Sequence, residues 1–254
     1  MIDPDLAGLT ALVTGGASGI GRALAVGLEA EGVAVAVVDR SESDVGSLRI
    51  QETLGDERTS ERVVASVEEE LGRIDLLVNC AAVARHEPLT RLSTDAWEAT
   101  LSSNLGACVW TCRAVARRMI EARRGSILVV GSTSVYTPAP AESLYRASKA
   151  GLKAFAEVVA LELAPHGIRV NVLTPGAVRT PLTAGLSDGQ RARLVAEIPL
   201  AREAVPDELV ATALLLLSDR LSPYTTGAEF VVDGGISLRP LALLDPGAGV
   251  EAGG

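Results

Sequence analysis

The sequence predicts an α/β protein in which helices cover both faces of a parallel sheet. Three observations predict it. Short apolar runs alternate with helix-periodic segments along the chain. The first run, residues 9–14, leads straight into Gly15-Gly16-Ala17-Ser18-Gly19-Ile20-Gly21, and a helical segment follows to about Ala30. The second run, Val33 to Val38, ends on Asp39, twenty residues beyond Gly19.

With 254 residues and 48% hydrophobic content, the chain can bury a full core, and neither internal repeats nor a linker divide it. Residues 1–245 read as one domain, and the Gly-rich residues 246–254 as a disordered tail. The formal net charge is −9, and no basic cluster exceeds Arg117-Arg118 with Arg123-Arg124, which argues against a nucleic-acid partner. No apolar run reaches membrane-spanning length, and the N-terminus lacks a secretion pattern. Cysteines 80, 108 and 112 are odd in number, which suits a reducing cytoplasm. Cys108 and Cys112 are one helical turn apart with no His or Cys to complete a metal site, so no metal is expected.

Taken in order, the glycines after the first strand remove side chains where a strand turns into a helix. Backbone N–H groups and the helix N-terminus can then approach a pyrophosphate. Asp39, at the end of the second strand, is placed to accept hydrogen bonds from ribose hydroxyls. A 2′-phosphate would meet its like charge, so NAD is favoured over NADP, although Arg40 follows with the opposite charge. The alternative is a strand-end Asp that caps the next turn. Only eight residues, Arg40 to Ser47, separate Asp39 from the next run, Leu48 to Thr53. A crossover between parallel strands usually takes at least about ten to twelve, so at most a turn or two of helix is expected there.

Residues 58–71 read as a helix with a charged face, and Ile74 to Val78 as the fourth strand, which runs into Asn79-Cys80-Ala81-Ala82. Thr94 to about Ala122 reads as one long helix, its stripe made by Trp97, Leu101, Leu105, Cys108, Cys112, Val115 and Met119. Asn104 sits on or beside that stripe, where a buried amide needs hydrogen-bond partners. Ile127 to Val130 is too short for a helix and reads as a strand buried on both faces, closing at Ser132. Residues 143–164 have helical spacing, and Tyr145 and Lys149, four apart, share one face. A hydroxyl, a phenol and an ammonium can thus meet at one crevice. A free phenol ionises near pH 10, and a neighbouring ammonium favours the ionised form, as proton transfer near neutrality requires.

Gly167 ends the helix after Pro165-His166, Ile168 to Leu173 forms the sixth strand, and Thr174-Pro175-Gly176-Ala177-Val178-Arg179-Thr180 follows. Residues 181–200 mix glycine and proline with a helical pattern and read as a movable lid. Pro206 to Ser218 is a helix opened by Pro206-Asp207-Glu208. Residues 224–227 and 231–235 flank the last strand.

These motifs, in this order, resemble the short-chain dehydrogenase/reductase family, from the Thr-Gly-x-x-x-Gly-x-Gly turn at 14–21 to Tyr-Arg-Ala-Ser-Lys at 145–149. The resemblance covers residues 9–235. It implies a Rossmann-like, doubly wound sheet of seven strands in the order 3-2-1-4-5-6-7, and reversible oxidation of an alcohol with a nicotinamide dinucleotide. It implies Asn104, Ser132, Tyr145 and Lys149 as the catalytic set. Tyr145 would be the acid/base, and Ser132 would bond the carbonyl oxygen. Lys149 would assist Tyr145 and bond the nicotinamide ribose, and Asn104 would hold a water, although a packing role for Asn104 stays open. For the cofactor it implies Gly15, Ser18, Gly19, Ile20, Gly21, Asp39, Asn79, Ala81, Tyr145, Lys149, Pro175, Gly176, Val178 and Thr180. Cys80 and Ala82 depart from the family's usual Asn and Gly. The adenine contact near the third strand is left between Thr53 and Asp56.

Sparse aromatics and the polar residues Arg85, His86, Ser134 and Tyr136 lean towards a small polar hydroxy substrate such as a sugar or polyol. Two alternatives stand beside it: a ketoreductase acting on acyl-carrier-protein substrates, and a dinucleotide-binding sensor or scaffold without turnover. Small residues Ala150, Gly151, Ala154 and Ala160 and the apolar stretches 230–232 and 238–244 point to further burial between subunits. By resemblance this is a homotetramer, or else a homodimer.

Overall fold

The computed structural model describes residues 3–238. Seven parallel strands form one sheet in the order β3-β2-β1-β4-β5-β6-β7. They are β1 (Thr10–Thr14), β2 (Ala34–Asp39), β3 (Leu48–Gln51), β4 (Leu76–Asn79), β5 (Gly125–Val130), β6 (Ile168–Pro175) and β7 (Glu229–Val232). The helices are α1 (Gly19–Ala30), α2 (Glu57–Leu71), α3 (Thr94–Thr100), α4 (Ala107–Ala122), α5 (Ser143–Leu163), α6 (Asp188–Ala196) and α7 (Val210–Leu217).

Every residue of β1, β4, β5 and β6 is buried, because helices cover both faces of the sheet. Successive side chains point to opposite faces. Leu12 therefore packs on the side of α2, α4 and α5, with Val64, Val115 and Leu152. Ala11 and Val13 pack on the side of α1 and α7, with Leu24, Leu28 and Leu216. The edge strands β3 and β7 are only partly buried.

The β2–β3 crossover contains no helix: Arg40 to Ser47 runs back through bends and extended chain. Val45 packs into the α1-side core, and Arg22 of α1 pairs with Asp44 at 2.6 Å. The strand after it stops at Gln51, short of Thr53. Asp56 is the N-cap of α2, accepting from Thr59 N at 2.9 Å, so it is occupied as a cap.

The expected single helix over 94–122 is instead three segments. A π-helical turn, Leu101–Gly106, separates α3 from α4. Asn104 lies within it, its side chain tied sideways to Val83 and Ser148. Such π turns gather at functional sites. Trp97, expected on the apolar stripe, is half exposed, whereas Cys108, Cys112, Val115 and Met119 are buried. The helix expected over 206–218 opens as a 3-10 turn, Pro206–Leu209, before α7. The last strand contains Val231 and Val232, which the sequence placed beside it. Residues 239–254, with the expected tail and most of the 238–244 stretch, lie outside the described residues.

Candidate active site

A cavity of about 1000 Å³ opens where the C-terminal ends of the strands meet the loops that follow them. Parallel strands gather their carboxyl ends on one side, which is where open α/β sheets bind ligands. Gly15, Ser18, Gly19, Ile20 and Gly21 line it from the β1–α1 turn, and Asp39 from the tip of β2. Ala81 lines it from the β4 loop, and Pro175, Gly176, Val178 and Thr180 from the β6 loop. Ser132, Tyr145 and Lys149 line the far end.

The glycine turn is built for close approach. Gly15 has φ +68, and a Cβ there would lie 2.6 Å from Ala81 Cα. A Cβ on Gly21 would lie 2.2 Å from the Gly15 carbonyl oxygen. Ser18 precedes α1 without a side-chain capping bond. First-turn N–H groups of that helix are thus left for an anion. Asp39 Oδ2 accepts from Ala17 N at 3.1 Å and Oδ1 from Ser41 N at 2.9 Å. Asp39 therefore both caps its own turn and orients the glycine loop.

At the other end, Ser132 Oγ accepts from Ser134 N at 3.1 Å, which frees its own proton for a ligand. Lys149 is buried, and its Nζ donates to the Val130 carbonyl at 2.8 Å. That bond holds the ammonium 5.9 Å from the centre of the Tyr145 ring. The ammonium has further donors to offer.

Two expected residues do not line the cavity. Asn79 belongs to β4, on the same face as Leu77, and so points at α4. Its Oδ1 accepts from Thr111 Oγ1 at 2.7 Å, and its Nδ2 donates to Cys112 Sγ at 3.2 Å. Asn104 accepts from Val83 N at 2.7 Å and donates to Val83 O at 3.0 Å and Ser148 Oγ at 2.9 Å. These bonds pin the β4 loop to α5, the packing role that the sequence left open.

Of the polar residues named for the substrate, His86 and Ser134 reach the lining. Arg85 is exposed, and Tyr136 is turned away to bond Lys153 and Glu229. Burial pushes the Cys80 thiol up to about 11, so it stands beside the glycine turn as a neutral group. Thr14 carried no expected role, yet its Oγ1 accepts from both Cys80 N and Ala81 N, at 3.1 and 3.2 Å. Its place immediately before Gly15 was the available signal. Glu142, three residues before Tyr145 and hence on the same helical face, also lines the cavity and was not foreseen. Among the described residues no group of His, Cys, Asp or Glu side chains is arranged to hold a metal ion.

A family model described as enoyl-(acyl carrier protein) reductase matches residues 15–237. The chain is 37% identical over 249 residues to D-threitol dehydrogenase of Mycolicibacterium smegmatis, covering 92% of this chain and 95% of that protein. It is 36% identical over 240 residues to a 3-oxoacyl-(acyl-carrier-protein) reductase of Salmonella typhimurium, covering 90% and 97%. Among solved structures, a short-chain type dehydrogenase/reductase from Mycobacterium marinum superposes with a TM-score of 0.88 at 30% identity, covering 93% of this chain and 98% of that one. A gluconate 5-dehydrogenase from Burkholderia cenocepacia, in complex with NADP and tartrate, also gives 0.88, at 28% identity, covering 94% and 98%. The sheet order, the glycine turn, the Ser–Tyr–Lys cavity and these matches together make the chain a member of the short-chain dehydrogenase/reductase family, oxidoreductases that use a nicotinamide dinucleotide on CH–OH and keto groups.

Proposed function

We propose that the protein is an NAD(H)-dependent oxidoreductase that interconverts a secondary alcohol and a ketone on a small polyhydroxy compound. The observation that carries this reading is that Ser132, Tyr145 and Lys149 share one cavity with the β1–α1 glycine turn. A Cβ at Gly15 or Gly21 would collide with the Ala81 backbone or the Gly15 carbonyl, so glycine there keeps the turn tight, and the uncapped start of α1 that it presents to the cavity fits the phosphates of a dinucleotide. Gly19, Ile20 and the first turn of α1 would hold its pyrophosphate, Asp39 its adenosine ribose, and Thr180 with the Pro175-Gly176 backbone its nicotinamide end. When bound, the dinucleotide supplies the two-electron exchange.

The protein's own residues manage the proton. Tyr145 donates to the carbonyl oxygen on reduction and accepts the hydroxyl proton on oxidation. Lys149 holds its ammonium 5.9 Å from the centre of the Tyr145 ring, beside the group that moves the proton. Ser132, whose oxygen already accepts an N–H, directs its proton to the substrate oxygen where charge develops. The D-threitol dehydrogenase relative and the lining of hydroxyl and carboxylate groups at the Tyr145 end favour a polyol. The three free cysteines favour a reducing cytoplasm.

A second reading, a ketoreductase on acyl-carrier substrates, is favoured by the Salmonella relative. Efficient reduction of an acetoacetyl thioester with NADPH, above any polyol activity, would establish it. The direct test of the first reading is Tyr145→Phe. Turnover of a polyol screened with NAD⁺ falls by about 10²–10⁴-fold while NADH binding, followed by fluorescence, is nearly unchanged. Retention of a tenth of wild-type kcat overturns the assignment.

A further inference from the structure

The Tyr145 end of the cavity has an unusual charge balance. Among the described lining residues, the charged side chains are Asp39, Arg40 and Glu52 near the β2–β3 side, and Lys149 and Glu142 near Tyr145, with His86 beside them. Lys149 is held on the Val130 carbonyl. The acidic Glu142 is thus the charge left to a substrate at this end of the cavity.

Three observations set the Glu142 carboxylate apart as a group left open to the cavity that it lines. It is the N-cap residue of α5, where an acidic side chain ordinarily accepts a first-turn N–H, yet it makes no capping bond. The preceding Ala141 is held at φ +67, a left-handed conformation that costs a non-glycine residue free energy and tends to mark functional sites. That conformation is fixed by its surroundings. Pro138 and Pro140 restrict the approach, and Glu87 N donates to the Ala141 carbonyl at 3.1 Å. The nearest ion-pair partner of Glu142 among the described residues is His86, with Nδ1 at 3.8 Å. Arg146, one turn along, donates instead to the Val135 carbonyl. The carboxylate is therefore three-quarters buried and lies three residues before Tyr145 on the same face, with its acceptor capacity uncommitted to backbone.

We propose that Glu142 is the residue that selects the substrate. Its two oxygens accept hydrogen bonds from hydroxyl groups next to the reacting carbinol, and its charge turns away aldonates and other anions. The more exposed His86 stands beside the carboxylate, its Nδ1 3.8 Å away. This rests on the polyol reading above and adds the specificity-determining group.

The test measures dinucleotide-linked oxidation of threitol, 2-butanol and gluconate by wild type, Glu142→Gln and Glu142→Ala. 2-Butanol has the reacting carbinol without neighbouring hydroxyls, and gluconate adds a carboxylate. For Glu142→Ala, the KM for threitol rises about tenfold or more with kcat little changed, as for loss of uniform binding to a charged acceptor. Glu142→Gln, which keeps one acceptor oxygen, falls between. Activity on 2-butanol is unchanged in both variants, and gluconate turnover rises when the charge is removed. Equal losses on threitol and 2-butanol would overturn the proposal, as would an unaltered threitol KM or a wild-type preference for gluconate. Wild-type activity on 2-butanol but not threitol removes this inference and leaves the alcohol–ketone reading standing. No wild-type turnover of any of the three removes both.

Discussion

Asp39 lines the cavity from the tip of β2 with both oxygens already engaged by backbone N–H groups, so its carboxylate stands in a fixed direction. A ribose diol can share those oxygens, whereas a 2′-phosphate would lie against them. We expect kcat/KM about tenfold or more in favour of NAD(H) over NADP(H), the size of one charge–charge penalty at a half-exposed site. Asp39→Ala narrows the gap in steady-state assays with both cofactors. Equal efficiencies in the unmodified protein would assign the pocket to Arg40 instead. Asp39 was legible from spacing alone, because a strand tip and a glycine turn fix its position. Asn79 was not: in a strand buried on both faces, an apolar run does not mark which face a polar residue takes, and β4 runs one residue further than expected.

At the scale of elements, α5 carries Tyr145, Lys149 and Lys153 at successive i,i+4 positions. The Tyr145–Lys149 spacing made the shared, cavity-lining face of this helix readable from the sequence alone. Lys153 was not readable, because its partners come from far along the chain. Its Nζ lies 2.7 Å from the Tyr136 hydroxyl and 2.7 Å from Glu229 of β7, and Tyr136 also bonds Glu229. The π turn was hidden for the same reason: Asn104 is drawn to Val83 and Ser148 by tertiary bonds that leave no periodic trace. The Tyr136 network ties the turn after Ser132 to α5 and β7. Burial alone would raise the Glu229 carboxyl, but hydrogen bonds from Lys153, Thr174 and Tyr136 hold it below its ordinary value. A carboxyl depressed in the folded state stabilises above its unfolded value and loses that contribution as pH falls through the folded one. Glu229→Gln should therefore cost about 1–3 kcal/mol at pH 7. In melts at decreasing pH, the gap to wild type should close below the ordinary carboxyl range of about 4.5. A gap independent of pH would show that the ion pair contributes nothing.

At the scale of the whole molecule, several of the described apolar side chains stay outside, and two groups of them bear on assembly. Val158 and Leu161 of α5 and Trp97 of α3 are exposed, as are Tyr224 and Val231 beside and within β7. Of the small residues expected to admit another helix, Ala150 and Ala154 do face outward. Gly151 packs near Leu105, and Ala160 is in the core, so these two serve the subunit itself. We propose a homotetramer with one interface on α3, α4 and α5 and another on β7, since closed two-fold assemblies bury such patches. Light scattering at micromolar concentration should give about four times the 26.2 kDa chain mass. A mass near one chain overturns it, and a stable dimer leaves the helix interface alone.

The helix-free crossover has a consequence for redesign. Arg40 to Ser47 is held by one exposed ion pair, the side chain of Val45 and short-range hydrogen bonds to Asp39, Ser43 and Gln51, on the β2–β3 side of the cavity. Loop lengthening costs free energy only slowly, and exposed connections accept insertion well. The segment is thus a cassette: a longer, basic loop grafted between β2 and β3 would reshape the adenosine side without disturbing the Ser132–Tyr145–Lys149 end. The choice of dinucleotide and the choice of substrate would then be separable parts of one chain.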